Sequence, residues 1–359
     1  MALRCGIVGL PNVGKSTLFN ALTSAAVAAE NYPFCTIEPN SGMVVVPDAR
    51  LDALARLSRS QRVIPAQVEL VDIAGLVAGA SEGHGLGNRF LAHIRETQAI
   101  AHVVRCFEAP GVVHVEGRVD ATADVETIET ELMLADLETV EAALNRLSRK
   151  AGSGDREAAR AVGLLQQAAA LLGAGTPLRS DPVLIEALAS YHLLSAKPVL
   201  YVANVGDEGE ANAQLAALKE RAGRYGDQVV WLHAALEGEL LALDPEERQE
   251  YMATLGWRES GMERLVRAIQ SLLGLITFFT TGPQETRAWQ ITAGTRAAAA
   301  AGIIHSDFEK HFIRAEVVSF AELMEHGSFE QAFASGTGRL EGRDYVVRDG
   351  DVVYFRVSA

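Results

Sequence analysis

The segment Gly9-Leu10-Pro11-Asn12-Val13-Gly14-Lys15-Ser16-Thr17 follows an apolar run at residues 3–8 and runs directly into Leu18-Phe19-Asn20-Ala21-Leu22. A strand, a G-x-x-x-x-G-K-S turn and a helix in that order predict a phosphate-binding loop. Gly9 and Gly14 let the backbone turn its N–H groups inward, so that the amides of Asn12 to Thr17 and the helix N-terminus face a phosphate. Lys15 brings a point charge to the β- and γ-phosphates, and the Ser16 hydroxyl is a hard oxygen ligand suited to Mg2+.

Two further segments complete the expected chemistry. Residues 30–39 hold two prolines and no periodicity, and Thr36 within them is assigned as the threonine that joins the Mg2+ shell when a γ-phosphate is bound. A second apolar run at residues 68–71 ends in Asp72-Ile73-Ala74-Gly75-Leu76, a D-x-x-G pattern. Asp72 is expected to hold Mg2+ through water and the Gly75 amide to sense the γ-phosphate. The next position is Leu76, which offers no hydrogen bond to an attacking water, so another group must orient it. His84, in a glycine-rich loop, and His114, shortly after an apolar run at 101–107, are the two candidates.

These segments require a parallel sheet to hold them, and the apolar runs at 3–8, 43–46, 68–71, 101–107, 198–203 and 229–232 provide its strands. The run at 198–203 leads into Asn204-Val205-Gly206-Asp207, where GTPases read guanine with N-K-x-D. Val205 replaces the lysine whose stem packs on the base, whereas Asp207 keeps the carboxylate that pairs with guanine. His233-Ala234-Ala235-Leu236 occupies the place of the last base-contacting loop. Between the two halves of the sheet, Met133, Leu137, Val140, Leu144 and Leu147, then Ala161, Leu165, Ala168 and Leu172, recur at helical spacing on either side of Gly152-Ser153-Gly154. This predicts a coiled-coil hairpin, with Glu126, Glu129, Glu131, Asp136, Glu138 and Glu141 as its solvated face. Asp244-Pro245-Glu246-Glu247-Arg248 opens another helix, and residues 262–273 read as the amphipathic helix that closes the sheet domain. Beyond residue 275 short β-rich segments are expected at 287–291, 314–318, 344–348 and 351–357, with a tight turn at Asp349-Gly350-Asp351.

Composition bounds the partners. The chain has 359 residues and a net charge of −14, which opposes an autonomous grip on nucleic-acid phosphates and excludes sequence-specific DNA binding as the expectation. No apolar run is long enough to span a membrane. The immediate start of the first strand leaves no room for a signal peptide, so a cytoplasmic protein is expected. Cys5, Cys35 and Cys106 form no metal or disulfide pattern and read as small apolar residues.

Taken together, Cys5 to Thr17, Pro33-Phe34-Cys35-Thr36-Ile37-Glu38-Pro39-Asn40, Val71 to Val77 with Gly85-Leu86-Gly87-Asn88, His102 to Glu108, and Ala301-Gly302-Ile303-Ile304-His305-Ser306-Asp307-Phe308-Glu309-Lys310 resemble the YchF family of Obg-related P-loop NTPases over essentially the whole chain. The resemblance implies an α/β fold: a P-loop NTPase sheet with an inserted α-helical coiled-coil hairpin and a C-terminal β-grasp (TGS) domain. The corresponding boundaries are 1–123 and 197–274 for the NTPase domain, 124–196 for the insertion and 275–359 for the TGS domain. It also implies binding of ATP and ADP in preference to GTP and GDP, association with the ribosome or its large subunit, and a hydrolytic role for His114 over His84. The family's usual glutamate is Asp207 here, which favours guanine, and Ile303 replaces a frequent lysine near His305, Asp307 and Lys310. The C-terminal segment carries eight Lys/Arg against eleven Asp/Glu, so it is no generic polyanion binder. The alternatives are a GTP-specific translation GTPase and a nucleotide-gated adaptor with little catalytic output. A P-loop metabolite kinase fits less well, because no acceptor-substrate signature accompanies Thr36 and Asp72–Gly75.

Overall fold

The computed structural model describes residues 3–29, 40–73, 85–109 and 117–358. Its described strands are β1 (Arg4–Val8), β2 (Ser41–Val45), β3 (Arg62–Ile64), β4 (Gln67–Asp72), β5 (Ala99–Cys106), β6 (Val199–Val205), β7 (Gln228–Leu232), β8 (Leu275–Thr280), β9 (Glu285–Thr292), β10 (Phe312–Ser319), β11 (Arg339–Glu341) and β12 (Asp351–Val357). Two compact units emerge, Met1–Met43 with Glu69–Ile269 and Val44–Val68 with Gln270–Ala359.

In the first unit a sheet of order β2-β4-β1-β5-β6-β7 forms, with β4, β1, β5, β6 and β7 parallel. Every residue of β5 and β6 is buried, the pattern expected when helices cover both faces of a parallel sheet. Cys5 in β1 and Cys106 in β5 are free, buried thiols, and burial pushes each up to about 12, far from thiolate reactivity.

The insertion is a pair of long helices. Ala121–Gly152 starts at Asp120, whose carboxylate accepts from the Ala123 amide at 3.1 Å, and Arg156–Gly173 starts at Asp155, which accepts from the Ala158 amide at 3.1 Å. Gly154, at φ 95°, turns the chain between them. Met133, Val140, Leu165, Ala168 and Leu172 are buried together with Leu137, Leu144 and Leu147 packed against them, so the expected seam is the one that forms.

The expected solvated acidic face forms only in part. Glu126, Glu138 and Glu141 are exposed, but Glu129, Glu131 and Asp136 are buried. Asp136 accepts from the amides of Leu194 and Ser195 at 2.7 Å each and from the Ser195 hydroxyl at 2.6 Å, which offsets part of its desolvation, although burial still holds its carboxyl above the usual range. Glu129 takes Arg179, Arg221 at 2.6 Å and the Tyr201 hydroxyl at 2.6 Å, and Arg179 also donates to Asp227 at 3.0 Å. The carboxylates turn inward because guanidinium and hydroxyl donors distant in sequence meet them there.

The second unit holds a mixed sheet of order β11-β10-β12-β8-β9-β3. Phe278, Ile291, Ala315, Val317 and Val353 line its core with the alanine-rich helix Ala297–Ile304. Residues 344–348 do not form the expected strand; only Val346 makes an isolated bridge, to Arg296. Residues 44–68, expected within the NTPase domain, cluster with this unit because β3 pairs in parallel with β9, Arg62 opposite Glu285. The preceding helix Ala49–Ser58 carries Arg50, which bonds Asp349 at 2.7 Å and lies over the Phe279 ring at 5.2 Å.

Candidate nucleotide site

The phosphate loop is shaped by β1 and by its neighbours in the sheet. Gly9 leaves β1 so close to β5 that a Cβ there would stand 2.7 Å from the Val103 carbonyl oxygen. Asn12 (φ 61°) and Gly14 (φ 91°) adopt left-handed conformations, which turns the loop before the helix Lys15–Ala29 begins. A Cβ on Gly14 would approach the Asn204 amide nitrogen to 2.3 Å, so glycine is required there for space as well as for φ.

Asn204 explains that crowding. From the end of β6 its side-chain amide donates to the Val13 carbonyl at 3.0 Å and accepts from the Ala234 amide at 3.1 Å. One buried residue therefore ties the phosphate loop to the loop after β7. Sequence reasoning placed Asn204 at the base; the available signal for its bracing role was a lone amide at the end of an otherwise apolar, fully buried strand.

Lys15 and Asp72 come together. β1 and β4 are parallel with Ile7 opposite Asp72, and the ammonium of Lys15, 8% exposed, forms an ion pair with the Asp72 carboxylate. Ser16, the second residue of the same helix, is exposed. Among the described residues no group of three or more His, Cys, Asp or Glu gathers as a metal cage. Ser16 and Asp72 are nonetheless the hard oxygen donors that Mg2+ favours, with phosphate oxygens and water as the natural remainder of its octahedron. These residues fit the ion.

At the end of β6, Val205 is wholly buried, so this position offers no exposed stem. Asp207 is exposed just beyond the strand, and His233 is the N-cap residue of the helix Ala234–Ala242 without a side-chain cap bond. Thr36, Gly75, Leu76, His84, His114 and Cys35 lie outside the described residues. His305 and Asp307 in the second unit serve local roles: His305 Nδ1 accepts from the Asp307 amide at 3.2 Å, and Lys310 pairs with Asp307 at 3.5 Å.

A family model described as 50S ribosome-binding GTPase matches residues 4–145, and a YchF GTPase C-terminal model, described as a protein of unknown function, matches 275–358. A Haemophilus influenzae protein called "Ribosome-binding ATPase YchF" is 51% identical, with all of both chains covered. The chain belongs to the YchF family. A Bacillus subtilis member of the same name is 48% identical over the full length of both chains. The solved Schizosaccharomyces pombe YchF GTPase superposes with a TM-score of 0.88 at 35% identity, covering 99% of this chain and 97% of that one. As a YchF-family member the chain thus has a P-loop G domain joined to a C-terminal domain, and the expected α/β class holds. No helix among the described residues is long and apolar enough to cross a membrane.

Proposed function

We propose that this chain is a Mg2+-dependent nucleoside triphosphatase that hydrolyses ATP as a conformational switch in association with the ribosome, in the cytoplasm. The observation that carries the reading is the pairing of Lys15 with Asp72 beside a phosphate loop braced by Asn204. A lysine at the loop, a D-x-x-G aspartate and a serine hydroxyl within one site are the components of phosphoryl-transfer chemistry. The names of the full-length relatives support the same reaction and the same partner. The domain reading that goes with it is an NTPase domain of 1–123 and 197–274, an arm of 124–196 and a TGS domain of 275–359, with residues 44–68 clustering with the last.

In this reading the amides of Asn12 to Thr17 cradle the β-phosphate and Lys15 neutralises charge on the β- and γ-phosphates. Ser16, Thr36 and, through water, Asp72 would hold Mg2+, which when bound offsets charge on the phosphate oxygens. The Gly75 amide contacts the γ-phosphate, and His114 orients the water. Attack on the γ-phosphorus breaks its bond to the bridging oxygen, and the nucleoside diphosphate leaves with the electron pair. Asn204, Val205 and Asp207 border the base. With Leu76 unable to orient water, turnover is slow until a partner completes the site.

Asp207 favours the second reading, a GTPase, and the solved fungal relative is itself named a GTPase. Equilibrium binding of ATP and GTP with Mg2+, measured side by side, separates them: preference for ATP supports the first and preference for GTP replaces it. A His114→Ala protein that binds nucleotide normally and hydrolyses it at the wild-type rate would remove His114 from the mechanism. The adaptor reading gains if ribosome co-sedimentation depends on nucleotide while turnover stays negligible.

A further inference from the structure

Residues 44–68 interrupt the first unit in sequence and are built into the sheet of the second. The strands that carry the chain out and back, β2 and β4, are neighbours. The Asp72 amide donates to the Asn40 carbonyl at 2.7 Å and the Val46 amide to the Ala66 carbonyl at 2.8 Å, so the two strands run in opposite directions with one register between these bonds. One end of this ladder is Asp72, the carboxylate that pairs with Lys15 of the phosphate loop. The other end opens into the helix Ala49–Ser58 and β3.

That far end is fastened by more than a strand pairing. Gln61 and Arg62 donate their amides to the carbonyls of Pro283 and Gln284 at 3.0 and 3.1 Å, and β3 then runs beside β9 as far as Ile64 opposite Arg287. The hydroxyls of Ser58, Thr281, Thr286 and Ser60 bond in a row at 2.7, 2.6 and 2.7 Å, and Thr286 is fully buried. Arg50 adds its bond to Asp349 at 2.7 Å, and Asp349 in turn accepts from the Thr277 amide of β8 at 2.9 Å. Peeling the segment away would strand these buried polar groups, so it moves with the C-terminal sheet rather than as a surface loop.

In the nucleotide reading above, Lys15 turns to phosphate oxygens and Asp72 to the water shell of Mg2+ when nucleotide binds, so their ion pair is exchanged and the end of β4 gains a further anchor. We propose, resting on that reading, that residues 44–68 are a strap that carries this change into the C-terminal sheet: nucleotide tightens the β3–β9 edge, and by linkage an intact edge tightens nucleotide binding. Hydrogen exchange of the full chain is followed with Mg2+ alone and with whichever of AMPPNP and GMPPNP binds. Peptides covering 60–65 and 284–288 are expected to slow about threefold or more, while those of β10 and β12 in the same unit keep their rates. With nucleotide bound, unchanged exchange at the β3–β9 edge, or equal slowing across the whole unit, overturns the strap and leaves the nucleotide site standing. If neither nucleotide binds, the site falls and the strap with it. Reciprocally, Arg50→Ala should weaken nucleotide binding about three- to tenfold. The matched control is Arg339→Ala, which removes a half-buried guanidinium that pairs with Asp351 at 3.4 Å and lies 5.3 Å from the Tyr345 ring, outside the strap; it should stay within about twofold of wild type. Asp349→Asn keeps an acceptor for the Thr277 amide and should weaken binding as Arg50→Ala does, which keeps the test decisive if that variant does not fold. Equal effects inside and outside the strap overturn the proposal.

Discussion

Strand β6 serves two regions of different construction. At its C-terminal end Asn204 braces the phosphate loop, a site made from consecutive residues. Three residues earlier Tyr201 enters a buried cluster at the base of the helical arm, where Glu129, Arg179, Arg221 and Asp227 arrive from separate elements. The first region needs glycines and one lysine; the second needs balanced charge. A loop that works through its backbone tolerates few side chains and takes from the rest of the chain single contacts such as those of Asn204 and Asp72. A buried ionic cluster depends on every member, because removing one leaves another charge desolvated.

The contrast predicts that damage at the arm base lowers stability and leaves nucleotide affinity largely intact, whereas damage at the loop does the reverse. Glu129→Ala is the severest test. It removes the buried carboxylate that Arg179 and Arg221 share, leaving Arg179 with Asp227 and Arg221 with the exposed Glu126, and urea unfolding should report a loss of about 3 kcal/mol. Nucleotide affinity in the folded protein should change less than about twofold, within the additivity expected of separated sites. A large fall in affinity would show instead that β6 transmits the damage.

His102 on β5 sharpens the same point through pH. Its ring lies 5.7 Å from Tyr201 with Nε2 unpartnered, and burial, reinforced by Arg179 and Arg221, pushes it down to about 4 despite Glu129. The folded state therefore binds fewer protons than the unfolded one between the ordinary imidazole value near 6.5 and 4. The stability linked to His102 is fully present above pH 6.5 and lost as pH falls towards 4, amounting to about 3 kcal/mol. Glu129 acts with the same sign at lower pH. Burial alone would raise its carboxyl, but Arg179, Tyr201 and Arg221 hold it below the usual range. Unfolding free energies from pH 7 to 5 should fall less steeply in His102→Gln than in wild type; parallel curves would remove His102 as the cause.

At the loop, Lys15→Ala should weaken triphosphate binding about ten- to a hundredfold, as expected for a charge-assisted contact, in direct titrations with Mg2+. The melting curve should move far less than in Glu129→Ala. The smallest effect belongs to Tyr201→Phe, which removes one hydrogen bond to Glu129 while both guanidinium partners remain, at a cost of about 1 kcal/mol. A loss as large as that of Glu129→Ala would make the hydroxyl, rather than the ion pairs, the organising contact.

The legibility of the two regions follows from their construction. The phosphate loop, the six strands of the first sheet and the seam of the helical hairpin rest on spacings within a few residues, and the expected and observed elements agree closely. Glu129 and Asp136 looked like a solvated face because nothing adjacent in sequence reveals Arg179, Tyr201 or Ser195 as partners. Residues 344–348 are rich in β-forming residues, yet only Val346 finds a backbone bridge, since pairing depends on which edge is offered.

By itself the sequence determined the phosphate loop, the order of strands and helices and the family, because glycine spacing and hydrophobic period act locally. Only the tertiary structure decided that Asn204 braces the loop against Val13, that Lys15 meets Asp72, that Glu129, Glu131 and Asp136 turn inward while Glu126, Glu138 and Glu141 stay exposed, and that residues 44–68 join the C-terminal sheet. Each of these is a contact between residues far apart in the chain. Its free energy comes from desolvation and pairing, which exist only once the chain has brought both partners to one place.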